Sequence, residues 1–267
     1  MGNNVIIFPG LLELQKEVEH LRSEISAIIL ERDQLLYVEC VNIENQYMLE
    51  LGMFEYKAYE IQCAILRLKR KIEMIQTKIN RQEKVVLSSI DVALDKEFEE
   101  YQKKLEEYMD RVNSALERSK LKLLSADEVK ELTKLYRAIV KLLHPDLHTD
   151  ITEVQMRLFN NAVVAYKNGD IESLRVIHTM IAEPVLPANE DVLSFLVREQ
   201  KRLSSVIDDL RASIDSIKSV YPYTMKEIIS SKESIRAKNM EFEEIIAGLN
   251  ETLDFYKQRV AELLESY

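Results

Sequence analysis

The sequence predicts an all-α protein in which long coiled-coil helices flank a small helical hairpin, and three observations carry that reading. Only 5 Gly and 5 Pro occur in 267 residues, where average composition would supply about 7% and about 5%, so the chain has few places to turn sharply. Apolar residues recur every seven positions over long stretches at both ends, the repeat of helices that wind together. Charged residues make up 31% beside 46% hydrophobic residues, which suits helices with one wet and one dry face. The glycine deficit also argues against a Rossmann domain, a P-loop enzyme or a β-sandwich, each of which needs glycine where the backbone bends or meets a phosphate.

After an N-terminal tail, residues 1–10, the first arm spans 11–123. Leu14, Leu21, Ile28 and Leu35 form one seam, filled in by Val18 and Ile25. Phe54, Ile61, Leu68 and Ile75, beside Ala58, Ile65, Ile72 and Ile79, form a second. Gly52 lies between them; an isolated glycine costs about 1 kcal/mol relative to Ala, so one helix is expected through both. A turn is expected within 80–91, from Asn80, Ser88, Ser89 and Asp91, after which an amphipathic helix returns to complete an antiparallel hairpin. Arg67, Lys69, Arg70 and Lys71 read as a solvated face.

Residues 183–190, with Pro184 and Pro187, read as a linker. The second arm, 191–267, repeats Leu196, Leu203, Leu210 and Ile217 with Ile207 and Ile214. It breaks at Tyr221-Pro222-Tyr223 and resumes as Ile228, Ile235, Phe242, Leu249, Tyr256 and Leu263, joined by Ile246, Leu253 and Val260. Whether these seams close within the chain, in a homo-oligomer or on a partner coiled coil is open at this level.

The unit between the arms, 124–182, has shorter periods. Ser125 or Asp127 can cap its first helix, with Glu128 completing a capping box. Val129, Leu132, Tyr136, Ile139, Val140 and Leu143 gather on one face, and Lys130, Lys134, Arg137 and Lys141 on nearly the opposite one. Pro145 lacks an amide proton and disfavours helical geometry at His144, so the helix should end near Leu143. Asp150 or Thr152 begins the next helix, with Glu153 as box partner for Asp150, and Met156, Phe159, Val163 and Tyr166 form its buried stripe. Gly169 should close that helix in the left-handed conformation, and Asp170 should cap a third. The result is a rigid His144-Pro145-Asp146 loop at the tip of two antiparallel helices.

That tripeptide, with Tyr136-Arg137 before it and Phe159 and Ala165-Tyr166 after it, resembles the J-domain co-chaperones of the DnaJ type over about a fifth of the chain, from about 124 to 177. The resemblance implies a unit whose loop and preceding basic helix dock on a DnaK-class heat-shock chaperone and stimulate its ATP hydrolysis. His144, Pro145 and Asp146 would then serve as loop-orienting ring, stiffener and charge contact, and Lys130, Lys134, Arg137 and Lys141 as the basic docking face. A carboxylate on a stiff loop can pair with a partner arginine, and the cations can steer the unit to an acidic surface. Such a protein is no enzyme and needs no cofactor.

This sequence departs from the family pattern at several places. Ala138 and Leu147 stand where a basic residue is common, which implies weaker or more selective docking. The short first helix of the family is not recognisable in 117–128, so the end of the preceding long helix is expected to replace it. No Gly/Phe-rich or cysteine-rich zinc module is present, leaving targeting to the arms. The alternative is a coiled-coil scaffold whose J-like unit no longer engages a chaperone. His144, Asp146, His148 and Asp150 make weak metal ligands, because Pro145 breaks the helix that would align them, and no other ligand motif is nearby. A formal charge of -10 disfavours nucleic acid. Without a run of ~18 apolar residues or a basic leader, no membrane association is expected. Cys40 and Cys63 form no metal-type pair, and so few cysteines point to a reducing, cytoplasmic setting.

Overall fold

The computed structural model describes residues 9–120, 123–181 and 192–265, and every regular element among them is helical. In chain order these are α1 (Pro9–Gln34), α2 (Cys40–Glu50), α3 (Gly52–Asn80), α4 (Leu87–Glu97), α5 (Glu99–Ser119), α6 (Ala126–Leu143), α7 (Glu153–Lys167), α8 (Ile171–Met180), α9 (Val192–Ser219), α10 (Lys226–Ile229) and α11 (Lys232–Glu265). No helix among the described residues is long and apolar enough to cross a membrane. Residues 1–8 of the expected tail and the linker expected at 183–190 lie outside the described residues.

The chain divides into two compact units, each assembled from two separated stretches: 1–41 with 122–224, and 42–121 with 225–267. Each sequence arm, 11–123 and 191–267, is therefore shared between the units. The long helices pair across the chain, N-terminal helix with C-terminal helix, and in both units they run parallel.

In the first unit Glu24 meets Arg211 and Glu31 meets Lys218, the same separation of 187 residues in each pair. Along the same helices Val18, Ile25 and Ile28 of α1 and Leu203, Ile207, Leu210 and Ile214 of α9 lose nearly all their solvent contact. Burying each such side chain contributes about 1.5–3 kcal/mol. The same core continues into α6 through Leu132, Tyr136, Ile139, Val140 and Leu143, into α7 through Phe159 and Tyr166, and into α8 through Leu174 and Ile177. Val129, expected inside, is 46% exposed, because the first turn of α6 projects beyond the core, which begins at Leu132. Within this unit α6 packs on α1 as well as on α7 and α8, and α5, whose end was expected to stand in for a short first helix, is counted in the second unit.

Caps fix the ends of the three short helices. Ser125 accepts from the Glu128 amide at 3.3 Å while Glu128 accepts from the Ser125 amide at 2.7 Å, the expected box. At α7 the box is Thr152 with Gln155 instead of Asp150 with Glu153. Asp170 accepts from the Ser173 amide at 3.0 Å and caps α8. Before it Gly169 takes φ +69, and the Gly169 and Asp170 amides close the end of α7 on the Tyr166 and Ala165 carbonyls.

In the second unit Phe54 stacks on Phe242 and Lys69 sits over the Tyr256 ring, so α3 and α11 are also parallel. α4 and α5 run back along α3: Lys71 pairs with Asp91, Arg67 with Asp95, and Glu55 accepts from Tyr108. The basic cluster at 67–71 is thus no plain solvated face; three of its members bridge α3 to α4, Arg70 through Glu97. The first arm is also not one unbroken helix. A π turn, Leu35–Glu39, follows α1, and Leu51 leaves helical geometry just before Gly52. A Cβ at Gly52 would stand 3.0 Å from Val112, so the glycine lets α5 approach. The turn after α3 is carried by Gln82, at φ 56, and Ser88, Ser89 and Asp91 belong to α4.

Two substitutions test this backbone account. Gly169→Ala should destabilise by about 1–2 kcal/mol, since an L-residue is strained at that φ and its Cβ would lie 3.1 Å from Leu124. Gln82→Gly should stabilise by about 0.5–1 kcal/mol by removing the same strain. Denaturant midpoints measure both, and shifts of the same sign would refute the assignment.

Candidate functional site

α6 ends at Leu143 because His144 already adopts φ -68, ψ 128, the extended geometry that Pro145 requires. The chain then turns tightly, with the Leu147 and His148 amides both donating to the His144 carbonyl, at 2.9 and 3.1 Å. Inside this turn the Asp146 amide donates to His144 Nδ1 at 3.1 Å. A ring that accepts at Nδ1 carries its proton on Nε2 and is neutral. The ring is buried and meets Phe159 edge-on at 5.0 Å. His144 therefore orients the loop from within and does not reach outward.

Asp146 differs. Its side chain is 42% exposed, with Oδ2 3.7 Å from His144 Nδ1. Pro145 is half-buried beside it. Leu147, the next residue, is 2% exposed and belongs to the core. His148 Nε2 bonds the Lys141 carbonyl at 2.8 Å and ties the loop back to the last turn of α6.

Lys130, Lys134, Arg137 and Lys141 are all exposed along α6. Lys130 lies 3.6 Å from Asp127, both in open solvent; the other three make no ion pair among the described residues. The structure thus brings Asp146 and the cations onto the surface of one helix and its tip, while it places His144 beneath them. Among the described residues no group of three or more His, Cys, Asp or Glu side chains gathers as metal ligands would.

Behind the exposed face lies a polar layer that the sequence pattern did not expose. The Tyr136 hydroxyl donates to Asp33 Oδ2 at 2.6 Å, and Arg32 donates to Asp33 Oδ1 through Nε and Nη2. Asp33 is 1% exposed, so these partners replace its lost water. Tyr136 also stacks on Tyr166 at 4.1 Å. Burial, then the Asp33 charge, pushes the Tyr136 hydroxyl far above its ordinary range and keeps it a donor. On the other side Arg202 donates to the Asp146 carbonyl at 2.8 Å while gripping Glu199, which also accepts from Arg22. One signal did exist: the seam of Val18 and Ile25 continues seven residues on at Arg32, a charge where packing would demand an apolar side chain.

The chain matches no family model, no curated protein and no solved structure. The site itself offers a partly exposed carboxylate just beyond the end of a helix that carries exposed cations.

Burial lowers the His144 pKa to about 4 from an ordinary 6.5, with the Asp146 charge opposing and Arg32 assisting. The folded state then binds fewer protons than the unfolded chain in that window, so stability is full above about pH 6.5 and falls as pH drops toward 4. The loss is on the order of 3 kcal/mol, from 1.36 kcal/mol per pKa unit. Glu199, held below its usual range first by the Arg202 hydrogen bond, adds a loss only at lower pH. His144→Gln should flatten the profile between pH 6.5 and 4.5. Denaturant midpoints across that range measure it, and identical slopes in both chains would contradict a buried neutral ring.

Proposed function

We propose that this chain is a J-domain co-chaperone: the Asp146 loop and the α6 cations dock on a DnaK-class heat-shock chaperone and stimulate its ATP hydrolysis. The observation that carries the reading is a partly exposed carboxylate just past the end of the helix that carries the exposed cations Lys130, Lys134, Arg137 and Lys141. Such a pattern matches a partner offering an arginine beside an acidic patch, with the cations raising the encounter rate and the carboxylate fixing the register. The residues behind the resemblance support it further. Phe159, Ala165 and Tyr166 are buried against α6, so they act as scaffold for the loop. The long helix pairs are read as coiled-coil arms that target the unit to its cargo, and a cytoplasmic setting goes with that reading.

A scaffold without chaperone engagement is the second reading. It is favoured by the tethering of the loop backbone to α9 through Arg202 and by the burial of His144.

Asp146→Asn separates the two. The change leaves a side chain of the same shape at a partly exposed position and should alter stability by under about 0.5 kcal/mol. On the co-chaperone reading it removes stimulation of a cognate chaperone ATPase. If the wild-type chain stimulates none of several cognate chaperones, the scaffold reading stands.

A further inference from the structure

The loop between α6 and α7 is held from outside its own hairpin. Arg202, on α9, donates from Nη1 to the Asp146 carbonyl at 2.8 Å. Its Nε and Nη2 also reach the two Glu199 oxygens, at 2.8 and 2.9 Å. Glu199 is buried, at 7% exposure, and its Oε1 takes a third bond from Arg22 Nη2 of α1 at 3.0 Å. A planar guanidinium held bidentately along one edge by a fixed carboxylate has little freedom left. Its third direction therefore fixes the backbone it touches.

The bond reaches the carbonyl and not the carboxylate. Among the described residues no arginine lies within ion-pair distance of the Asp146 carboxylate, which remains partly exposed. The arrangement suits a holder more than a lock: it immobilises the main chain of Asp146, while the Arg202 charge attracts the carboxylate through space and leaves it partly exposed to a partner. We propose that Arg202 is a positioning residue for chaperone docking, itself held by Glu199 and Arg22, so that the docking element comprises the α6–α7 hairpin together with α1 and α9. The proposal rests on the co-chaperone reading above.

The test uses the full chain as wild type, Arg202→Ala and Arg202→Lys. Stimulation of a cognate DnaK-class ATPase is titrated against each, and amide hydrogen exchange is followed at Leu147 and His148, whose amides close the loop on His144. Losing one charge-assisted bond is expected to raise the half-maximal concentration of Arg202→Ala about tenfold, with the maximal stimulation retained. Lysine reaches the carbonyl but cannot grip both Glu199 oxygens, and should recover part of the loss. Exchange at Leu147 and His148 should quicken in Arg202→Ala, while the Val129 amide, bonded to Ser125 at the far end of α6, stays as in wild type. Unchanged titration, or tighter action by Arg202→Ala, overturns the proposal; the latter marks Arg202 as a restraint. If the wild-type chain gives no stimulation, the docking reading falls, and unchanged exchange at Leu147 and His148 then overturns the loop-holding role separately.

Discussion

Two helices that lie parallel in one chain cannot be joined by a short turn; the connection must travel back the full length of the first. Both units obey this constraint, and most of the architecture answers it. The 29 residues of α3 rise roughly 44 Å at 1.5 Å per residue, and α4 with α5 retraces that path before the chain can lay α11 beside α3. In the first unit α1 meets its partner α9 only after the whole second-unit hairpin and the three helices α6 to α8 have been made. The candidate site sits on this connection. Its helix α6 packs on α1, and its loop rests on α9, because the connection must fold onto the pair it links.

Charge inside such a core would be costly if left alone, and here it is paired at each place. Asp33 is met by Arg32 and Tyr136; Glu199 is met by Arg22 and Arg202. One buried donor, Arg22 Nε, has no partner among the described residues. Replacing such pairs by hydrocarbon is often neutral for stability, so their value here lies in direction. Apolar side chains would bury as much area but would not set how α6 and its loop sit against α1 and α9.

Much of the local structure was legible in the residues. Proline after His144, glycine at 169 and the capping residues Ser125 and Asp170 fix helix ends through backbone chemistry within a few positions, and local chemistry is what a single sequence states most plainly. The seven-residue seams likewise announced which side chains would be covered. They did not announce by what. Leu203 and Ile25 would satisfy an antiparallel hairpin, a dimer or the parallel pair equally well, since an apolar stripe carries little information about direction. The direction is written in flanking charges such as Glu24 with Arg211, and a charge pair 187 residues apart is invisible without the fold. Apart from Arg32 on the seam, the polar layer behind the site was hidden for the same reason. Arg202 reads as an ordinary surface residue of an amphipathic helix until the loop at Asp146 is brought to it.

The parallel pairing also sets a timetable for synthesis. Glu24 leaves the ribosome 187 residues ahead of Arg211, and at about 5–20 residues per second that gap lasts roughly ten to forty seconds. Throughout it the edge of α1 that faces α9 lacks its native partner, and Tyr136 and the Asp146 loop emerge before the helix that steadies them. A nascent chain of this design is itself in need of shelter during its own translation.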